Sequence, residues 1–226
     1  MEEANPVSSL TVLDIKTRVK RKFGDEAGVQ LTDADIVRMI NDAQRNIVAR
    51  NDSLLEKSAT ADTTSGTQEY SFPSDLLKFK SLSYKGIGDI AYRPMKGMTL
   101  NELNMYVDSW DGNTSTLAVP IVYAIHAAKF QVYPVPSDSV IAAFKIYYNR
   151  APVDVSLDTD IPDLPSIYHS IVMDFVLQDA YEMDEDWNAA SAKSAQTNQN
   201  MDRAKSDSEW TRREFYPTIS VRPEDF

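Results

Sequence analysis

The stretch Phe130-Gln-Val-Tyr-Pro-Val-Pro136, followed by Val140-Ile-Ala-Ala-Phe-Lys-Ile-Tyr-Tyr-Asn-Arg-Ala-Pro152, constrains this chain most. It reads as two β-strands joined by a Pro-x-Pro turn, because Pro134 and Pro136 have no amide to give to a ladder. In the second strand Ala142, Phe144, Ile146 and Tyr148 alternate with Ile141, Ala143, Lys145 and Tyr147. The first set is the more apolar and is expected to face a core. Helical patterns lie on both sides of these strands, so a β-module interrupts a helical protein.

Residues 9–23 read as the first helix. Val12, Ile15, Val19 and Phe23 recur on one face, and Gly24 supplies a stop. Lys16, Arg18, Lys20, Arg21 and Lys22 lie mostly off that stripe; late-helix cations suit the macrodipole, and a solvated face is a plainer reading than a phosphate contact. Thr32-Asp-Ala-Asp35 has the spacing of a capping box and opens a helix to about residue 50, with Ile36, Ile40, Ala43 and Ile47 on its stripe. These two helices are expected to pack as an antiparallel pair, each needing further cover.

After the strands, Ile161-Pro-Asp-Leu-Pro165 begins another helix, with Pro165 in its first turn. Ile167, Ile171, Met173, Phe175, Val176 and Ala180 form its apolar side. From Trp187 to Phe215 the chain turns alanine-rich and polar. Such a helix buries little surface alone and is expected outside a core or against other subunits. Residues 216–226 are held extended by Pro217 and Pro223, either a frayed terminus or a docking arm.

Within the module, residues 52–66 are small and polar and read as a loop. Residues 67–72, 76–85 and 90–93 read as strands. Thr99 caps a short helix over residues 100–107, with Glu102 three positions on. Residues 120–126 and 129–133 read as a hairpin whose Ala127-Ala128 turn leaves the register open. The fold class is α+β: a bundle of N- and C-terminal helices with an inserted, mainly antiparallel β-module. Its parts are N-terminal helices over 1–51, the module over 52–152, C-terminal helices over 153–215 and a tail over 216–226.

The formal net charge of -11 is unevenly placed. Residues 151–190 hold Asp154, Asp158, Asp160, Asp163, Asp174, Asp179, Glu182, Asp184, Glu185 and Asp186 and no Lys or Arg. That field repels nucleic-acid phosphates. Three readings stay open: a solvated helix face, a surface for a basic partner, or the lining of a conduit for DNA. The acidic N-terminus lacks the apolar core of a signal peptide, and no apolar run approaches a membrane span. The absence of cysteine excludes disulfides, thiolate metal sites and a cysteine nucleophile.

Catalytic constellations are scarce. His126 and His169 do not make a closed zinc site. Asp158-x-Asp160 and Asp184-Glu-Asp186 lack the pattern of a calcium loop. Carboxylate pairs for glycoside hydrolysis are expected by chance among 34 acidic residues. No phosphate loop, dinucleotide fingerprint or nucleophile elbow is present. Tyr70, Tyr84, Tyr92, Tyr123, Tyr133, Tyr147 and Tyr148 could form a sugar-binding platform, although tyrosine on a half-buried sheet is ordinarily strand packing.

The ordered pieces are Tyr70-Ser-Phe-Pro-Ser-Asp75, Pro120-Ile-Val-Tyr123, Phe130 to Pro136, Ile146-Tyr-Tyr-Asn-Arg-Ala-Pro152 and Leu164-Pro-Ser-Ile-Tyr168. Set between N- and C-terminal helices, they resemble the head-to-tail adaptor (connector) proteins of tailed bacteriophages, the type with a β-insertion in a helical bundle. The resemblance implies a virion structural protein with no enzymatic activity and no cofactor. Its copies would form a ring, usually dodecameric, beneath the portal protein. The ring would extend the DNA channel and seat the tail or nozzle protein. Genomic DNA would pass at ejection without specific binding. No membrane is implied; the place is the head-tail interface of the virion, with assembly in the host cytoplasm. By position, Trp210, Phe215, Tyr216, Ile219 and Phe226 are candidates for portal or neighbour contacts, and Asp184, Glu185 and Asp186 for the channel wall. The alternative is a tail-associated carbohydrate-binding module using the tyrosines.

Overall fold

A computed structural model describes residues 9–51, 54–107, 110, 112 and 117–215, with side chains to residue 206. In chain order the elements are α1 (Val12–Phe23), α2 (Asp33–Arg50), β1 (Glu56–Thr63), β2 (Glu69–Ser71), β3 (Leu76–Tyr84), β4 (Arg93–Pro94), β5 (Lys96–Met98) and α3 (Leu100–Tyr106). Then follow β6 (Leu117–Ala118), β7 (Val122–His126), β8 (Lys129–Tyr133), β9 (Val135–Pro136), β10 (Val140–Arg150), a 3-10 turn (Ser166–Tyr168), α4 (His169–Met183) and α5 (Trp187–Phe215). The chain divides into two compact units, residues 1–51 with 152–226, and residues 52–151. The fold class is α+β.

In the helical unit α4 is the centre. Ile171, Val172, Met173, Phe175, Val176, Leu177 and Ala180 are buried, so the helix is covered on more than one side. A helix apolar around most of its girth must be enclosed by others. α1 and α2 therefore make their main contacts with α4, and the expected α1–α2 pair is a minor contact. Their stripes are as the spacing predicts: Val12, Ile15 and Val19, then Ile36, Ile40, Ala43 and Ile47. α1 starts at Val12 because Thr11 caps it reciprocally with Asp14, and it ends at Gly24 in the left-handed region (φ 90°). Two of its first amides, on Val12 and Leu13, donate to the carbonyls of Asp160 and Asp158, so the acidic loop also finishes this helix.

α5 is not left bare. Ala190, Thr197, Met201 and Ala204 form a narrow buried stripe, and α5 packs on α4 within the same chain. Small residues let the two backbones approach. Lys193 and Asp174 lock the contact at 2.6 Å, both largely buried, and Asn200 donates to the same carboxylate at 2.9 Å. The expectation that this helix lies outside a core is corrected for the described part.

The second unit holds two four-stranded sheets, ordered β1-β10-β3-β4 and β2-β8-β7-β5, with β6 beside β9. Their shared core contains Leu82, Tyr84, Tyr123, Phe130, Val132, Phe144, Ile146 and Tyr148. Phe130 meets Phe144 edge-on at 5.2 Å. A smaller cluster gathers Leu103, Trp110 and Ala124 under α3, which Thr99 and Glu102 cap as expected. Pairing is antiparallel except β5 with β7 and β6 with β9.

Several readings of the module need correction. Residues 56–63, read as loop, form a strand: β1 gains its place from the β10 ladder, and its small polar side chains are mostly exposed. Of residues 90–93, only Arg93 enters a strand. Ala127 and Ala128 both adopt positive φ (46° and 61°), the geometry a two-residue hairpin needs, and they fix Val122 opposite Tyr133. Ala142 also has positive φ (52°) where the β1–β10 register shifts. This bulge turns Ala143 inward in place of Ala142, while Phe144, Ile146 and Tyr148 keep the predicted face.

The Asp174–Lys193 pair should be asymmetric under mutation. Lys193→Met leaves a buried carboxylate with a single amide donor and is expected to cost about 3 kcal/mol in chemical denaturation. Adding Asp174→Asn to that variant should recover at least half of the loss; no recovery would mean that the pair does not hold α5.

Candidate partner interface

Asp184, Glu185 and Asp186 occupy the turn between α4 and α5, and all three are exposed. The backbone explains the turn. The Asp184 amide donates to the Ala180 carbonyl, Glu185 takes positive φ (58°), and the Asp186 amide reaches the Tyr181 carbonyl at 3.0 Å. Asp186 has a structural task, since its carboxylate accepts the Ala189 amide at 3.1 Å and caps α5. Asp184 and Glu185 are left facing water. Met183 and Trp187, both more than half exposed, flank them.

Most of the acidic stretch does not act as open charge. Asp154 binds Arg45 through both oxygens at 2.7 and 2.6 Å. Asp158 takes the Lys16 ammonium at 2.6 Å. Asp160 accepts the amides of Ser156 and Leu157, Asp163 accepts that of Val153, and Asp174 is paired with Lys193. What remains is a smaller patch at the end of α4. There Asp179 is half-buried, and burial first, then Glu182 and Asp42, pushes its carboxyl up to about 6. Gln178 donates to Glu182, and Arg45 holds Asp42.

The basic face of α1 is likewise reduced. Lys20 binds Asp33 at 2.5 Å and Lys16 lies 3.6 Å from the same carboxylate, leaving Arg18, Arg21 and Lys22 exposed. His169 is buried, with Nδ1 accepting the Leu10 amide at 3.0 Å and Nε2 donating to the Leu164 carbonyl at 2.9 Å. Both ring nitrogens are thus spent on the fold. Among the described residues no group of three or more His, Asp or Glu is placed to hold a metal ion. No helix among them is long and apolar enough to cross a membrane.

The tyrosines do not form a platform. Tyr84, Tyr123 and Tyr148 are core residues, and Tyr70 stacks on Phe130. Tyr148 also donates to Asp75 at 2.8 Å. Among the seven tyrosines named from the sequence, Tyr147 is exposed, with the Lys145 ammonium 5.1 Å above its ring. Of the residues expected to bind partners, Tyr216, Ile219 and Phe226 lie outside the described residues, as do the side chains of Trp210 and Phe215.

Two surfaces of the second unit escaped the sequence reading. One is a groove of about 290 Å³ lined by Met98, Leu103, Tyr106, Val107, Ile121 and Pro134, with Tyr106 and Ile121 largely exposed. Exposed apolar groups of this kind mark protein contacts. The other is the outer edge of β1. The Arg150 amide donates to the Leu55 carbonyl at 3.1 Å, and Glu56 stands opposite Asn149. Antiparallel alternation then turns the backbone groups of residues 57, 59 and 61 toward β10 and those of 56, 58 and 60 outward. No described strand pairs with that outer side. The repeat Ser58-Ala-Thr-Ala61 was the available signal, a period of two too weakly apolar to stand out.

A family model described as SU10 adaptor protein matches residues 10–222, across both units. No curated protein matches the chain.

The acidic patch makes stability depend on pH. The folded value of Asp179 (about 6) lies above its unfolded value of 3.8, so the folded state holds the extra proton between them. This group favours folding most below about pH 4, and that contribution is lost as the pH rises through 6. Asp179→Asn should match the parent protein at pH 4 and exceed it by roughly 1 kcal/mol at pH 7, after solvent screening. Thermal unfolding at the two pH values checks this, and equal stability at both would place the carboxylate in water.

Proposed function

The chain belongs to the SU10 adaptor protein family and is a phage head-to-tail adaptor; on that premise, we propose that its copies close into a ring beneath the portal, continue the DNA channel and seat the tail. The match over residues 10–222 carries this reading, because it takes in the helices and the strands together. The work is structural, not catalytic. Its place is the head-tail interface of the virion, after assembly in the host cytoplasm.

The surfaces fit such a role. The apolar groove beside Tyr106 and the open edge of β1 suit protein partners, either neighbouring copies or the tail. The residues from Trp210 to Phe226 supply the contacts to the portal or to the next copy. Asp184 and Glu185 face the bore, where a ring repeats their charge once per copy. A wall of like charge repels DNA phosphates, and the genome slides without sticking.

Purified chain mixed with portal protein should give a coaxial ring complex by mass measurement and electron microscopy. A chain that stays monomeric at every portal ratio would overturn the proposal. Within assembled particles, Asp184→Lys combined with Glu185→Lys should slow DNA ejection, most strongly at low salt, where charge is least screened. Asp186 is kept because it caps α5. Unchanged ejection would move the acidic turn out of the channel.

A further inference from the structure

We propose that the outer edge of β1 receives residues 218–222 of a second copy as an added antiparallel strand. The inference rests on the ring reading above and names the contact that would link one copy to the next.

The edge is the first ground. β1 spans eight residues and has no proline or glycine. Natural edges of that length are ordinarily blunted or covered, because their open amides template pairing. Ser58 and Thr60 turn both backbone groups outward, and no described strand meets them. Ala59 and Ala61 pack against the aromatic core from this last strand, and Lys57 on the same side is held by Asp75 at 2.7 Å.

The tail sequence is the second ground, and its prolines set the phase. Thr218-Ile-Ser-Val-Arg222 is a five-residue alternating segment between Pro217 and Pro223. Proline has no amide, so the odd positions 217 and 223 cannot donate. Residues 218, 220 and 222 can, and the outward groups of β1 also sit on alternate residues. Antiparallel registers of one phase satisfy both, and the one that uses the whole edge sets Thr218 opposite Thr60, Ser220 opposite Ser58 and Arg222 opposite Glu56. That register sets Ile219 opposite Ala59 and Val221 opposite Lys57, on the core-facing side. The same alignment therefore gives hydrogen bonds and sets Ile219 beside the apolar face, while Arg222 joins a Glu56 carboxylate that already holds Lys80 at 2.5 Å. A slip by one residue would aim a proline at the ladder and turn Ile219 to solvent.

A tail that docks on the next copy makes a heterologous, head-to-tail contact, the type that closes into rings. Two full-length variants test it. Thr60→Pro blocks the edge and spares the β10 ladder, because that amide points outward. Ser220→Pro blocks the tail and leaves every described residue unchanged. Each alone should abolish rings that the parent protein forms, and their equimolar mixture should give a heterodimer and no ring, since only one contact remains possible.

Hydrogen exchange on the Ser220→Pro chain gives a readout independent of rings. A synthetic peptide of residues 217–226, at about ten times its dissociation constant, should slow exchange at the Ser58 and Thr60 amides about tenfold. Rings that persist in both variants, or a peptide that leaves these amides unprotected, would overturn the inference. Protection of the same amides in dilute monomeric parent protein would assign the edge to the chain's own tail and likewise overturn it. Should the parent protein form no ring with portal while the peptide still protects the edge, the ring reading fails and the docking contact stands.

Discussion

The burial of α4 is the constraint from which the helical unit follows. Val172, Phe175, Val176 and Leu177 lie within three turns and point to different sides, and each is almost wholly buried. Burying one such side chain is worth about 1.5–3 kcal/mol, whereas a surface ion pair is worth about 0–1 kcal/mol. The helix therefore dictates its surroundings. α1 and α2 turn their stripes to it, and α5 closes another side with small residues. The one charged group in that buried run, Asp174, is tolerated because Lys193 and Asn200 meet it.

The same economy governs the acidic charge. A run of ten carboxylates without a cation looks like one field along the sequence. In space, cations from α1, α2 and α5 neutralise part of it, and loop amides take another part. The remainder is confined to the end of α4 and its turn, where Asp179, Glu182, Asp184 and Glu185 lack a basic neighbour on their own stretch. A bore lined by these copies would carry a narrow acidic band at the helical turn.

The β-module carries a different kind of specificity. Its core is aromatic and closed, with Phe130, Phe144, Tyr84 and Tyr148 meeting in tilted and edge-on contacts. Tyr70, Tyr84, Tyr123 and Tyr148, named from the sequence as candidates for a sugar platform, are instead part of the packing of the two sheets. Among the described residues the module leaves two surfaces open: an apolar groove beside α3 and the outer edge of β1. Both suit an adaptor.

Legible from the residues alone were the α+β class, the four long helices of the helical unit, the capped short helix at Thr99 and, on β10, the core-facing Phe144, Ile146 and Tyr148 but not Ala143. Each of these rests on local signals: a 3.6 or 2.0 periodicity of large apolar residues, or a cap at fixed spacing. The tertiary structure alone decided that residues 56–63 are a strand, that α1 and α2 pack on α4, that α5 is covered, and which acids are free. Small polar residues such as Ser58 and Thr60 carry almost no hydrophobic pattern, so their conformation is set by the ladder that β10 offers. Ion pairs such as Asp158 with Lys16 join residues far apart in the chain, and no local rule can choose among 23 cations for a given carboxylate.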